Sequence, residues 1–305
     1  MTNLKKLGLT ALAGSLVATT GYAGSLGLSG AAKVSYTSGD TSEVSGNPFS
    51  MTRDVSMTGS GELDNGMTIS YVQTLTAAAF SSSSLTLDMG DAGSMTFTNG
   101  TSGGHGISAY EDKMPSANEQ VWDDLDGEAN GVLTGNKTNK IGYGTSFAGA
   151  NVSVDYNKQQ GGGSGRSIGI DMSPVDGAMI FVAQSDEYAG PNASLDQVTF
   201  GGTYTTGGIT AGIQMTAIDN ATVNTDQDRT HIAASFAVNE DLSVSWGMST
   251  VEFEGGNTDQ EDSGFSASYT MGSMSLTASF NSSDNVGGTS GTDDEHKEIG
   301  LAFAF

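Results

Sequence analysis

Period two dominates the chain. In "VTFGGTYT", Val198, Phe200 and Tyr204 alternate with Thr199, Gly201 and Thr203. In "ITAGIQMTA", Ile209, Ala211, Ile213 and Met215 alternate with Thr210, Gly212, Gln214 and Thr216. The pattern returns in "NVSVDYN", "GFSASYTM", "MSLTASFN" and "LSVSWGM". Each such stretch predicts a strand with one apolar face and one small, polar face. "AMIFVAQSD", near 178–186, is apolar on both faces, so its register stays open.

The connections alternate as well. Short ones are "DNG" (64–66), "GDAG" (90–93), "AGA" (148–150), "PVDG" (174–177), "TGG" (206–208), "NED" (239–241) and "GS" (272–273). Longer polar ones fall near 38–49, 77–84, 99–138, 159–166, 187–195, 218–229, 255–263 and 282–295. Seven short and eight long connections predict sixteen strands, with both chain ends on the short-turn side. An even strand count, short turns at one rim and long loops at the other describe an all-β, antiparallel transmembrane barrel. Closure pairs every backbone amide inside hydrocarbon, where an open edge is not tolerated. At about sixteen strands the lumen is too wide for side chains to fill, so the polar faces would line a wet channel and the apolar faces would meet lipid.

A soluble sandwich has the same alternation with its apolar side inward. The second function class is therefore a secreted acidic β-sandwich surface protein of adhesin or surface-layer type. A barrel partitions into the membrane fraction and migrates faster unheated than boiled; a secreted sandwich does neither.

Both ends of the chain favour the barrel. "KEIGLAFAF" places Ile299, Leu301, Phe303 and Phe305 opposite Gly300, Ala302 and Ala304. This last strand is expected to pair with "LGLSGAAKVSYTS", putting Phe303 and Phe305 in the periplasmic aromatic girdle. Residues 1–23 form a secretory signal: Lys5 and Lys6, an apolar run from Leu7 to Val17, then small Gly21 and Ala23 before a cut. Eleven apolar residues are too few for a spanning helix. The mature domain is then 24–305.

Composition narrows the chemistry. With 44 Gly, 4 Pro and a mean hydropathy of -0.21, the chain suits many short strands and tight turns. No cysteine means no disulfide, thiolate metal site or cysteine nucleophile. Net charge is -24, and loss of Lys5 and Lys6 leaves 35 Asp and Glu against nine Lys and Arg. Such a balance disfavours nucleic acid as a partner.

The signal, the sixteen alternating segments, the long third loop after "GSMTFTNG" and the final "IGLAFAF" together resemble the Gram-negative general porins over Gly24 to Phe305. That resemblance implies an outer-membrane location and a homotrimer passing small hydrophilic solutes and ions by diffusion. It implies a third loop folded into the lumen opposite basic wall residues, and a terminal Phe read by the barrel-assembly machinery. Here Phe303 and Phe305 would carry that assembly signal, and outer-membrane lipid and lipopolysaccharide would surround the barrel.

The third loop, 99–138, is far longer than ordinary connections, which points to function or disorder. It carries Glu111, Asp112, Glu119, Asp123, Asp124, Asp126 and Glu128 against Lys113 and Lys137. Inside the lumen these carboxylates would form an acidic screen favouring cations; outside they would be a solvated face. Tyr110, Val121, Trp122 and Leu125 are candidates to pin the loop to the wall. The basic wall set is thin: Lys33 and Lys140 face the lumen by parity. Arg53 shares parity with Met51, Val55 and Met57, which aims it outward unless a bulge turns it to the pore wall. The pore is therefore expected to prefer cations.

No cofactor is indicated. "DDLDGEANG" has the hard oxygen donors that suit Ca2+, although its spacing departs from the EF-hand loop. "GGGSGR" has Ser167 where a glycine-rich calcium repeat needs Asp, and reads as a flexible loop. His105, His231 and His296 lack ligand-like spacing, and no nucleophile elbow, phosphate loop or HExxH appears, so no enzyme is expected.

Overall fold

A computed structural model of the chain describes residues 24–39, 47–77, 79–101, 103–127, 129–134, 138–158, 163–188, 194–222, 225–255 and 258–305. The expected signal, 1–23, lies outside them.

Sixteen strands follow one another: β1 (Ser25–Gly39), β2 (Phe49–Glu62), β3 (Thr68–Thr76), β4 (Ala79–Asp88), β5 (Ser94–Asn99), β6 (Lys140–Phe147), β7 (Ala150–Lys158) and β8 (Ser164–Met172). They continue as β9 (Ala178–Tyr188), β10 (Ser194–Thr206), β11 (Ile209–Asn220), β12 (Gln227–Ala237), β13 (Leu242–Phe253), β14 (Gln260–Met271), β15 (Met274–Asp284) and β16 (Asp294–Ala304). Each pairs antiparallel with its sequence neighbours, and β1 pairs with β16, so the single sheet closes into a barrel. A closed sheet with its apolar faces outside rules out the sandwich, which needs two sheets facing each other.

Register carries the alternation around the ring. Phe200, Met215 and Val182 stand exposed on the outer face of neighbouring strands. Thr199, Thr216 and Gln214 lie buried on the inner face of the same strands. Closure continues past β16, where Phe305 and Gly30 exchange backbone hydrogen bonds of 2.7 and 2.9 Å. Phe303, paired with Ala32 and Met274, and Phe305 are both exposed on the outer face.

Two sequence expectations change. The connection expected at 77–84 is only residues 77–78, because Ser81 to Ser84 belong to β4. A run of serines alternates faces without alternating hydropathy, and a register shift at Thr74/Leu75 hides it further. Likewise "GGGSGR" is not all loop: Ser164 to Arg166 open β8, and Ser167 is buried on its inner face.

Among the described residues the buried apolar side chains are few, and most come from the segment between β5 and β6: Ile107, Tyr110, Met114, Val121, Trp122, Leu125, Ala129 and Val132. The wall adds Phe181, Ala183, Ile218, Ala233 and Val251. Phe181 and Ala183 pack with Ile107, Tyr110 and Val132, which explains why β9 is apolar on both faces: one meets the exterior and the other meets the loop.

The two faces differ in what they tolerate. Ile213→Arg, on the outer face of β11, should cost about 2–4 kcal/mol of unfolding free energy in lipid. Ser70→Arg, on the inner face of β3, should cost less than about 1 kcal/mol. Urea titration in vesicles checks this; equal costs at the two positions would contradict the assigned faces.

Candidate functional site

The inner wall falls into two sectors. On β1 to β5 it is a ladder of small hydroxyls, paired as Ser35–Ser50 at 2.6 Å, Ser56–Thr74 at 3.1 Å and Thr86–Thr96 at 3.0 Å. From β6 to β16 it is covered by the described residues of the third loop, the segment between β5 and β6.

Glycine makes room for that cover. A Cβ at Gly169 would overlap the Tyr110 ring, one at Gly142 would overlap His105, and one at Gly212 would crowd Met114 and Pro115. Into these spaces the loop lays its apolar side chains. Tyr110 stacks on Phe181 with ring centroids 5.0 Å apart, and its hydroxyl donates to Asp171 Oδ2 at 3.0 Å. Trp122 packs with Met114, Val121 and Ala233.

Hydrogen bonds to the wall recur along the loop, as a buried segment whose regular structure is one short 3-10 turn, Gly106–Tyr110, requires. Ile107 N donates to Ser167 Oγ at 2.9 Å and Ala117 N to Ser245 Oγ at 2.9 Å. Gln214 Nε2 donates to Tyr110 O at 2.9 Å, and Thr216 Oγ1 to Gly131 O at 2.6 Å. Asn281 Nδ2 donates to Asp123 O at 3.1 Å, and Asp126 N to Asp294 Oδ2 at 2.6 Å. By these bonds alone the loop crosses the interior from β8 to β16.

The acidic residues divide. Glu111 and Asp112 line a cavity of about 420 Å³ along the loop, together with Ser116, Asn118, Asp123 and Asn130. Asp123 Oδ2 also accepts from Gln120 N at 2.7 Å, a turn-capping role. Glu119 reaches the far wall, accepting from Ser279 Oγ at 2.7 Å and lying 3.6 Å from Lys33 Nζ. Asp124, at φ +60°, is exposed and 3.8 Å from His296 Nε2, and Asp126 is exposed. Glu128 lies outside the described residues. Among the described residues, no three His, Asp or Glu side chains converge where they could hold a metal ion.

The basic residues depart from their expected roles. Lys33 faces inward but pairs with Glu298 as well as Glu119. Lys140 faces inward but is buried, its Nζ 3.0 Å from Asp155 Oδ2. Neither offers a free positive charge to a solute. Arg53 is not on the pore wall: the β1–β2 register runs unbroken through it, so it stays exposed on the outer face between Met51 and Val55. Asp155 and Glu298 were missed in the sequence, although parity alone places both inward, Asp155 against Val154 and Tyr156, Glu298 against Ile299.

On the short-turn side of the loop, a second cavity of about 850 Å³ is lined by Asp88, Asp91, His105, Lys113, Asn151 and Asp171. Burial pushes the His105 imidazole below its ordinary value; Asp155 opposes and Lys140 reinforces that shift. Burial, with the charge and hydrogen bond of Asp171, pushes the Tyr110 hydroxyl up. Both groups are therefore neutral at pH 7, and the charges beside this cavity are Lys113 and the three carboxylates.

The sequence profile of a family described as Gram-negative porin matches residues 8–305. A comparison with curated proteins finds no match. Among solved structures, the barrel is similar to a porin refined at 1.8 Å resolution, with a TM-score of 0.71 and 15% identity over 92% of this chain and 100% of that one. It is similar to OmpT, an outer membrane protein of Vibrio cholerae folded in vitro, with a TM-score of 0.68 and 12% identity over 92% and 98% of the two chains. It is also similar to an anion-selective porin from Comamonas acidovorans, with a TM-score of 0.65 and 14% identity over 92% and 100%. At these identities the likeness is one of fold, and anion selectivity is a property of the Comamonas protein.

The seat of the loop can be tested by filling one of its glycines. Gly169→Ala should push Tyr110 off the wall at a cost of about 1–3 kcal/mol and speed tryptic cleavage after Lys113 at least about fivefold. An unchanged cleavage rate would contradict the docking.

Proposed function

The chain belongs to the Gram-negative porin family, and we propose that its outer-membrane channel is a general diffusion pore with a preference for cations. One observation carries the preference. The wall lysines are tied to carboxylates, Lys33 to Glu298 and Glu119, Lys140 to Asp155, whereas Asp112, Asp124 and Asp126 are not tied to a lysine. The opposite sector of wall offers mostly neutral hydroxyls, with Lys33 paired and Asp54 and Asp88 adding negative charge. A cation passing between a hydroxyl ladder and an acidic edge is attracted across a narrow, wet gap, and an anion is repelled. The solutes are small and hydrophilic, and a bound Ca2+ is not part of this reading.

The same reading has residues 1–23 removed as a signal and Phe303 and Phe305 recognised by the assembly machinery. It also has three copies associating through the face that holds Arg53. A guanidinium among Phe49, Met51, Val55 and Met57 is costly against lipid and is accommodated against protein, so Arg53 supports a subunit contact there. The remaining outer face meets outer-membrane lipid, including lipopolysaccharide.

Two measurements follow. In a planar bilayer under a KCl gradient, the zero-current potential should have the cation-selective sign, and neutralising Asp112, Asp124 and Asp126 together should shrink it while steps persist. An anion-selective sign would sink the proposal. Arg53→Ala should weaken the trimer by about 2–5 kcal/mol, seen as a lower dissociation temperature on unheated gels; an unchanged temperature would remove Arg53 from the contact.

A further inference from the structure

Loop residues 120–127 and 129–131 lie over a buried row of the inner wall. Gln214 on β11, His231 on β12, Ser249 on β13, Asp262 on β14, Ser283 on β15 and Asp294 on β16 are successive partners in the sheet register. All six are between 0% and 3% exposed. Asp262 draws in the hydroxyls of Ser249 and Ser283 beside it, whereas Gln214 Oε1, Asp294 Oδ1 and both nitrogens of His231 have no hydrogen-bond partner in the protein. Buried polar groups are ordinarily paired, so an imidazole with neither nitrogen bonded, in a buried polar row, marks a place built for something other than packing.

His231 is the singular member, because the loop rests on it directly. The Trp122 ring lies over the imidazole, with centroids 4.3 Å apart and planes tilted by 52°. Trp122 in turn holds Met114 and Val121 against Ala233, so this contact sets the height of the loop across β12 to β14.

The charges around His231 are few. On its own strand, Arg229 lies two residues away on the same face, and its guanidinium donates to Asn130 O at 2.7 Å and to Gln227 Oε1. On β14, Asp262 is two strands along the row, with Oδ1 accepting from Gln260 Nε2 at 2.9 Å. On the loop, Asp123 accepts from Gln120 N and Asp124 lies near His296. β11 and β13 present neutral Gln214, Thr216 and Ser249.

We propose that His231 is a positioning residue of the constriction: its neutral imidazole seats Trp122, and proton uptake lifts this part of the loop into the lumen. The proposal rests on the reading that the third loop sets the open cross-section. An imidazolium must donate from both nitrogens, and under Trp122 it reaches neither an acceptor nor water. Uptake of the proton and release of the tryptophan are therefore one event. Below about pH 6.5, where a freed imidazole gains its proton, each unit of pH shifts the balance between seated and lifted loop by up to about tenfold.

The protein has two tryptophans, and Trp246 stands exposed on the outer face. Trp246→Phe therefore leaves Trp122 as the reporter. In this variant, Trp122 emission should shift to the red and single-channel conductance should fall together between pH 7 and pH 4. His231→Gln, polar but not titratable, should hold both constant; His231→Phe serves the same purpose if the glutamine variant does not insert. A conductance fall that survives either substitution, or a Trp122 emission that never changes, overturns the role of His231. An emission step that His231→Gln abolishes, without any change of conductance, overturns instead the reading of the loop as the constriction.

Discussion

Everything in this molecule follows from the need to pair backbone amides where no water can reach them. The apolar faces of the strands commit the sheet to hydrocarbon, and hydrocarbon permits no open edge. Closure therefore matters more than any single side-chain contact, which is why β1 pairs with β16 and why pairing continues to Phe305 and Gly30. A ring of sixteen strands then has an interior that its own wall side chains do not fill.

The third loop answers that second consequence. It supplies most of the buried apolar side chains, so the core of this protein is a connection rather than a strand face. Glycines at 142, 169 and 212 give the loop its room, and serine, threonine, asparagine and glutamine side chains on the wall satisfy its backbone. The electrostatics follow the packing. The wall lysines are consumed in pairs with Glu298, Glu119 and Asp155, and much of the remaining charge along the loop is negative. Selectivity in this account is a by-product of how the loop is held.

Strands were legible wherever hydropathy alternates and a turn residue closes the segment. Ile209 to Met215 and Met274 to Phe280 show their faces without any structure. The four serines of β4 did not, since a residue equally at home on both faces carries no period. β9 resisted for the opposite reason: its inner face serves Ile107, Tyr110 and Val132, residues of a loop three strands earlier in the sequence. The pinning role of Tyr110 and Trp122 was legible as large apolar residues stranded in a polar loop. The fate of the charges was legible only in part, because parity says which face a lysine occupies but not which carboxylate neutralises it. Arg53 is instructive here, since its parity pointed outward all along and the unbroken register keeps it there.

The central claim is that a loop serves as the core of the barrel, and its amides report on that directly. Hydrogen exchange should find the amides of Ile107, Ala117 and Asp126, each bonded to a wall side chain, protected far beyond those of the exposed turn at Asp64 to Gly66. Exchange at the rate of that turn would mean that the loop does not rest on the wall, and the account of both the core and the acidic edge would fall with it.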